Sequence, residues 1–91
     1  MVPEWTWDLE KARANLRKHG VSFAEAVIAL EDPLALTVPD RMREEERLVT
    51  VGQESDGRLI VVAWVSRGRG GRILSARKAT PRERRSYEET S

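Results

Sequence analysis

The chain has no cysteine and one histidine, His19. Without thiols neither a disulfide framework nor a thiolate metal centre can form. One imidazole would leave a zinc or iron site to be completed by carboxylates, so neither a metal nor any other cofactor is expected. A serine nucleophile would have to take its base from that same His19. No apolar run approaches the roughly 20 residues that span a bilayer. The opening MVPEWTWDLE also lacks the basic-then-apolar form of a signal peptide. Both observations predict a soluble cytoplasmic protein with no membrane partner. RGRGG at 67–71 lies between two strand patterns and lacks the spacing of a phosphate-binding glycine loop.

What is present is charge, unevenly placed. The 91 residues are expected to form one domain, 1–91, with a core adequate for independent folding. The net charge of +1 conceals two halves: residues 1–65 carry eight Lys/Arg against twelve Asp/Glu, and residues 66–91 carry eight against three. Such a split suggests that one end meets an anion.

Pro3–Trp7 alternates and predicts a short edge strand. Asp8 is an N-cap for a helix over Leu9–His19, with Leu9, Ala12 and Leu16 as its apolar stripe and Gly20 as its C-cap. Ser22 and Glu25 form a capping box for a second helix, stopped by Asp32-Pro33. The period then changes from helical to two. Strands are predicted over Leu34–Val38, Arg47–Gln53 and Leu59–Val65, with a charged loop over Pro39–Glu46 and a turn at Ser55-Asp56-Gly57. Arg67–Gly71 reads as a flexible basic hairpin loop, and Arg72–Lys78 as the last strand. That strand would place Arg72, Leu74, Ala76 and Lys78 on one face and Ile73, Ser75 and Arg77 on the other. Thr80, Pro81 and Glu83 open a terminal helix with another capping box, and Glu88–Ser91 is expected to fray. The fold class is α+β: an antiparallel sheet of four to five strands, two N-terminal helices and one C-terminal helix.

The stretch RILSARKATPRERRSY, from Arg72 to Tyr87, holds six cations against Glu83 alone. A strand end and a helix start with that much positive charge form a surface suited to polyanions. Arginine forks and the free amides of the helix start would bind phosphate. If the anion is RNA, a base can take the ribose 2′-hydroxyl proton, the oxygen attacks the adjacent phosphate, and arginines stabilise the growing charge. His19, Lys78, Tyr87 and a glutamate are the acid and base candidates. Histidine is the side-chain type best suited to both roles near neutral pH. Arg77 and Lys78 stand out because arginine at that strand end has no structural duty visible in the sequence. Trp5, Trp7 and Trp64 fit core bulk better than base stacking.

WTWDLEKARANLRKHGVSFAEA, DPLALTVPD, ERLVTVG and RILSARKATPRERRSYE, in this order and spacing, closely resemble the BrnT family of bacterial toxins. The resemblance covers Trp5 to about Glu88. It implies a RelE-like fold and a type II toxin that cleaves RNA without a metal and arrests translation and growth. It also implies a BrnA-like ribbon-helix-helix antitoxin as partner, with which the toxin would bind operator DNA and repress its own operon. Carried onto this chain, the family's motif positions are Lys18-His19-Gly20, Arg47 and Arg77-Lys78. The family often has arginine where Lys78 stands, so the charge is kept and a bidentate fork is lost. The implied catalytic set is His19, Arg47, Arg77 and Lys78 around one phosphate, with Lys18, Arg72, Arg82, Arg85 and Tyr87 holding RNA. The competing reading is a non-catalytic basic module that binds an acidic protein partner or nucleic acid. A DNA reader in its own right is weaker, because Ser22–Glu31 carries two glutamates and no cation.

Overall fold

In the computed structural model, which describes residues 4–40 and 46–90, the elements are β1 (Trp5–Thr6), α1 (Leu9–His19), α2 (Phe23–Leu30), β2 (Leu36–Pro39), β3 (Arg47–Gln53), β4 (Leu59–Arg67), β5 (Gly70–Lys78) and α3 (Pro81–Thr90). Pro3 of the predicted first strand, Glu44 and Glu45 of the predicted loop, and Ser91 lie outside the described residues. The sheet order is β1-β5-β4-β3-β2. β2 to β5 form an antiparallel meander, while β1 joins the far edge parallel to β5, which makes the sheet mixed.

Local sequence chemistry sets the helix ends. The Asp8 carboxylate accepts from the Glu10 amide, and Gly20 closes α1 in the left-handed region with its N–H on the Leu16 carbonyl. Ser22 and Glu25 form a complete capping box at α2. Thr80 and Glu83 do the same at α3, which continues to Thr90 where fraying was expected. β2 starts two residues later than predicted because Asp32 organises a turn first: its carboxylate accepts the Leu34 amide and its carbonyl the Ala35 amide.

The core lies between one sheet face and α1 and α2, and includes Val21, Phe23, Ala26, Ile60, Val62 and Ile73. Trp5 meets Trp64 edge-on at 5.0 Å, and Trp7 meets Phe23 at 6.0 Å. These rings pack on the core as bulk. The Trp64 indole N–H donates to Thr50 Oγ1 at 2.8 Å, and the Thr50 and Thr37 hydroxyls bond at 2.7 Å.

α1 is turned differently from the expectation. Leu9 and Leu16 are 64% and 50% exposed, whereas the buried residue of the helix is Asn15. The inward stripe is Ala12, Asn15 and His19, about 60° round the helix from Leu9, Ala12 and Leu16 at 3.6 residues per turn. Asn15 explains the rotation. β5 runs past the end of two-residue β1, so its outer edge at Ala76 has no strand partner. The Asn15 amide takes that place: Nδ2 donates to the Ala76 carbonyl at 2.8 Å and to the Val21 carbonyl at 2.9 Å, and Oδ1 accepts the Ala76 amide at 3.0 Å.

Candidate active site

The register of β5 rearranges the predicted faces. Ser75 opposes Ala63 but Ile73 opposes Trp64, so Leu74 is the extra residue of a β-bulge. The bulge moves Ile73 to the core side with Ala76 and Lys78. Arg72 moves to the outer face with Ser75 and Arg77, where the sequence alternation had put it opposite Arg77.

The rotation of α1 and the bulge of β5 meet. Lys11, Ala14, Asn15, Lys18 and His19 line an open hollow against Leu74 and Ser75. His19 is half-buried here, on the helix stripe that faces β5. Bulges recur beside active sites because they re-aim side chains. Lys11, Lys18 and His19 supply donors and positive charge, and among the described residues none of the three has an acidic partner.

Arg77 is placed otherwise than expected. Its Nη1 and Nη2 donate to the two carboxylate oxygens of Glu83, each at 2.8 Å, and Nη1 also reaches the Lys78 carbonyl at 3.2 Å. The fork that would grip a phosphate holds a carboxylate, so the residue does have a structural duty: it ties the end of β5 to the first turn of α3. Glu83 also accepts the Thr80 amide. The Arg77 guanidinium, then the Thr80 contacts, pull its carboxyl down to about 2 against the opposing effect of burial. The same bond keeps Arg77 protonated beyond its ordinary range. Lys78, Arg82 and Arg85 are exposed at this corner, with no acidic partner among the described residues.

Arg47 is not part of this corner. It opposes Val65, which opposes Arg72, whereas Arg77 opposes Val61 and Val61 opposes Val51. The Cα positions of Arg47 and Arg77 are therefore about 16 Å apart, at ~3.3 Å per residue and ~4.8 Å per strand. Arg47 and Arg72 belong to the opposite end of the sheet.

Tyr87, expected at the RNA, is 6% exposed and donates its hydroxyl to Asp32 Oδ2 at 2.7 Å. It packs α3 down and has no free polar atom to offer a ligand. Its bond to Asp32, with burial, pushes the phenol up to about 12 from an ordinary 10.0. Burial alone would raise the Asp32 carboxyl, but the Tyr87 hydroxyl and the amides of Leu34 and Gln53 outweigh it and hold the group low. A phenol raised in the fold adds stability below its unfolded value, and that contribution is lost as pH climbs toward 12. Tyr87→Phe is expected to cost about 1–2 kcal/mol at pH 7 and to flatten the stability loss between pH 10 and 12. Urea unfolding at pH 7 and 11 checks this; an unchanged alkaline loss in the variant would assign the effect to other groups.

Sequence reasoning missed Asn15, the pairing of Glu83 with Arg77, and the Arg58 cluster. Arg58 pairs with Glu25 Oε2 and lies 3.6 Å from Glu54 Oε1. Glu25, Glu54 and Asp56 bring carboxylate oxygens within 4.8 Å of one another, with Arg58 already among them. This ties the β3–β4 hairpin to the start of α2.

The family described as "Ribonuclease toxin, BrnT, of type II toxin-antitoxin system" matches residues 7–83. Among solved structures, the crystal structure of the Brucella abortus ribonuclease toxin BrnT is similar, with 26% sequence identity and a TM-score of 0.69. The match covers 87% of this chain and 99% of that one. No curated protein matches the chain.

Proposed function

This chain belongs to the BrnT family of ribonuclease toxins of type II toxin–antitoxin systems, and from that premise we propose that it is a metal-independent endoribonuclease centred on His19. The observation that supports the reading is the hollow in which the inward-turned end of α1 faces the β5 bulge. His19 takes the proton of a ribose 2′-hydroxyl. The oxygen attacks the adjacent phosphorus, the bond to the 5′-oxygen breaks, and that oxygen leaves with a proton taken from water, giving a 2′,3′-cyclic phosphate and a 5′-hydroxyl. Lys11 and Lys18 stabilise the charge on the phosphorane. Lys78, Arg82 and Arg85 hold the flanking backbone, and Arg77 acts through α3 as a positioning residue. Arg47 and Arg72 extend the cationic surface along the sheet into a longer track. Growth arrest follows from loss of translated RNA. A BrnA-like ribbon-helix-helix antitoxin would neutralise the toxin by covering the cationic corner, and the pair would repress its own operon by binding operator DNA.

The test is induction of the wild type and His19→Ala without antitoxin, following growth and RNA integrity together, with purified protein assayed in excess chelator. Arrest with RNA loss is expected from the wild type alone, and His19→Ala should cut at least about 10²-fold more slowly. Chelator should not change the rate. Cleavage by a well-folded His19→Ala at the wild-type rate would remove His19 from the reaction. Soluble wild type with neither arrest nor cleavage would favour a non-catalytic basic module.

A further inference from the structure

The arginines divide into those that a carboxylate has claimed and those left open. Arg13 pairs with Glu10, Arg58 with Glu25, and Arg77 with Glu83. Arg67, Arg69 and Arg72 have no acidic partner among the described residues, and all three sit at the β4–β5 hairpin, the end of the sheet away from Lys78.

That hairpin is not the loose loop its glycines suggest. Arg67 opposes Gly70 and only Gly68 and Arg69 turn the chain. Gly68 has φ 55 and no non-glycine residue has positive φ among the described residues, which is the pattern of a II′ turn with its glycine at the first central position. Gly70 is already in the strand, where a Cβ would lie 1.9 Å from the Glu4 carbonyl oxygen. Gly71 donates its amide to that same oxygen at 3.0 Å. Gly70 therefore lets the chain just before β1 clamp the hairpin, and the clamp fixes where Arg67 and Arg69 stand. Arg67 and Arg69 are exposed, and Arg72 is half-buried on the outer face that also carries Ser75 and Arg77.

We infer that the β4–β5 hairpin is a second RNA-backbone station, in which Arg67, Arg69 and Arg72 hold phosphates about 17–25 Å along β5 from Lys78, at ~3.3 Å per residue. The inference rests on the ribonuclease reading and extends it: the substrate is a single strand long enough to run the length of β5, not a dinucleotide. Arginines without carboxylates gain most from phosphate, and a pre-set turn spares the ordering cost of gripping it.

The test is binding of labelled single-stranded RNA of about 4 and about 16 nucleotides, the ends of the site-size range for small single-strand modules, to the wild type, R67Q/R69Q and R67K/R69K over a salt series. Removing two phosphate contacts should lower the slope of log affinity against log salt by about 1.4 on the long RNA. The short RNA should bind the double Gln variant as it binds the wild type. R67K/R69K keeps both charges and should keep the slope, and equal melting temperatures exclude unfolding. An unchanged slope in R67Q/R69Q overturns the station. A loss confined to duplex DNA, run as a third probe, overturns it too and would assign the hairpin to operator contacts. A wild type that binds the long RNA without cutting it would sink the ribonuclease reading while the slope still decides the station. A wild type that binds neither RNA sinks both.

Discussion

Asn15→Leu is expected to destabilise the protein by about 3–6 kcal/mol, because three buried backbone groups lose their partner at once and each unsatisfied group costs about 1–3 kcal/mol. Those groups are the Ala76 amide, the Ala76 carbonyl and the Val21 carbonyl. Leucine keeps the branched skeleton, with two methyls in place of the amide oxygen and nitrogen, and would add apolar burial, so a purely hydrophobic account of the core predicts little change or a gain. The polar account predicts a loss comparable with much of the 5–15 kcal/mol that holds a small domain together. A fall in melting temperature of roughly 15 °C or more follows for a chain of this size. Asn15→Asp refines the test: it keeps an acceptor for the Ala76 amide, loses both donations, and places a charge in a site that is 7% exposed. It should be no more stable than Asn15→Leu at neutral pH. If Asn15→Leu unfolds within about 1 kcal/mol of the wild type, water satisfies the β5 edge and the amide is dispensable. Because His19 lies on the same inward stripe, a folded Asn15 variant should also lose activity through misplacement of α1, with the melting curve and the rate falling together.

The case of Asn15 shows what was legible and what was not. Elements governed by neighbours within a few residues were readable: α1 from Asp8 to Gly20, the capping boxes at Ser22 and Thr80, β3 over Arg47–Gln53. Each rests on chemistry closed inside four residues. Facings decided by distant partners were not readable. The apolar stripe of Leu9 and Leu16 predicted the wrong inward side because Asn15 answers to Ala76, 61 residues away. A polar residue inside a helix is assigned to solvent by default, and the vacant edge that claims it exists only once β1 proves to be two residues long. The bulge at Leu74 had no signal in an alternating pattern, yet it decides which face Arg72 shares with Arg77. The glycines of 67–71 were recognised as a hairpin but read as slack, since the Glu4 carbonyl that requires Gly70 lies far away in the chain. For the candidate site, the family motif at Lys18-His19-Gly20 led to the hollow beside β5. The separation of Arg47 from Arg77 along the sheet was not readable, because sequence proximity to a motif carries no information about register.

Glu83→Ala is expected to cost about 1–2 kcal/mol, the sum of a lost capping box at about 1 kcal/mol and a bidentate pair at up to about 1 kcal/mol. The pair is discounted for solvent because the Arg77 and Glu83 side chains are 41% and 28% exposed. Its pH dependence has a definite sign. The Glu83 carboxyl is held at about 2 against an ordinary 4.5, so its contribution is complete above the ordinary value and is lost as pH falls toward 2. Unfolding at pH 7 and pH 3 should bring wild type and Glu83→Ala closer together at the lower pH, and a constant gap would refute the linkage. The same variant decides what Arg77 does. If Arg77 is the anchor of α3, then Arg77→Ala and Glu83→Ala loosen the same corner, displace Arg82 and Arg85 alike, and lower cleavage by similar factors. The two stability losses should then be non-additive in the double variant. If Arg77 is instead a phosphate ligand that Glu83 merely occupies in the absence of RNA, Glu83→Ala frees the fork, and its RNA affinity should rise while Arg77→Ala loses affinity. Opposite signs in the two single variants would return Arg77 to the phosphate; equal signs with a shared stability loss would keep it as the hinge pin of α3.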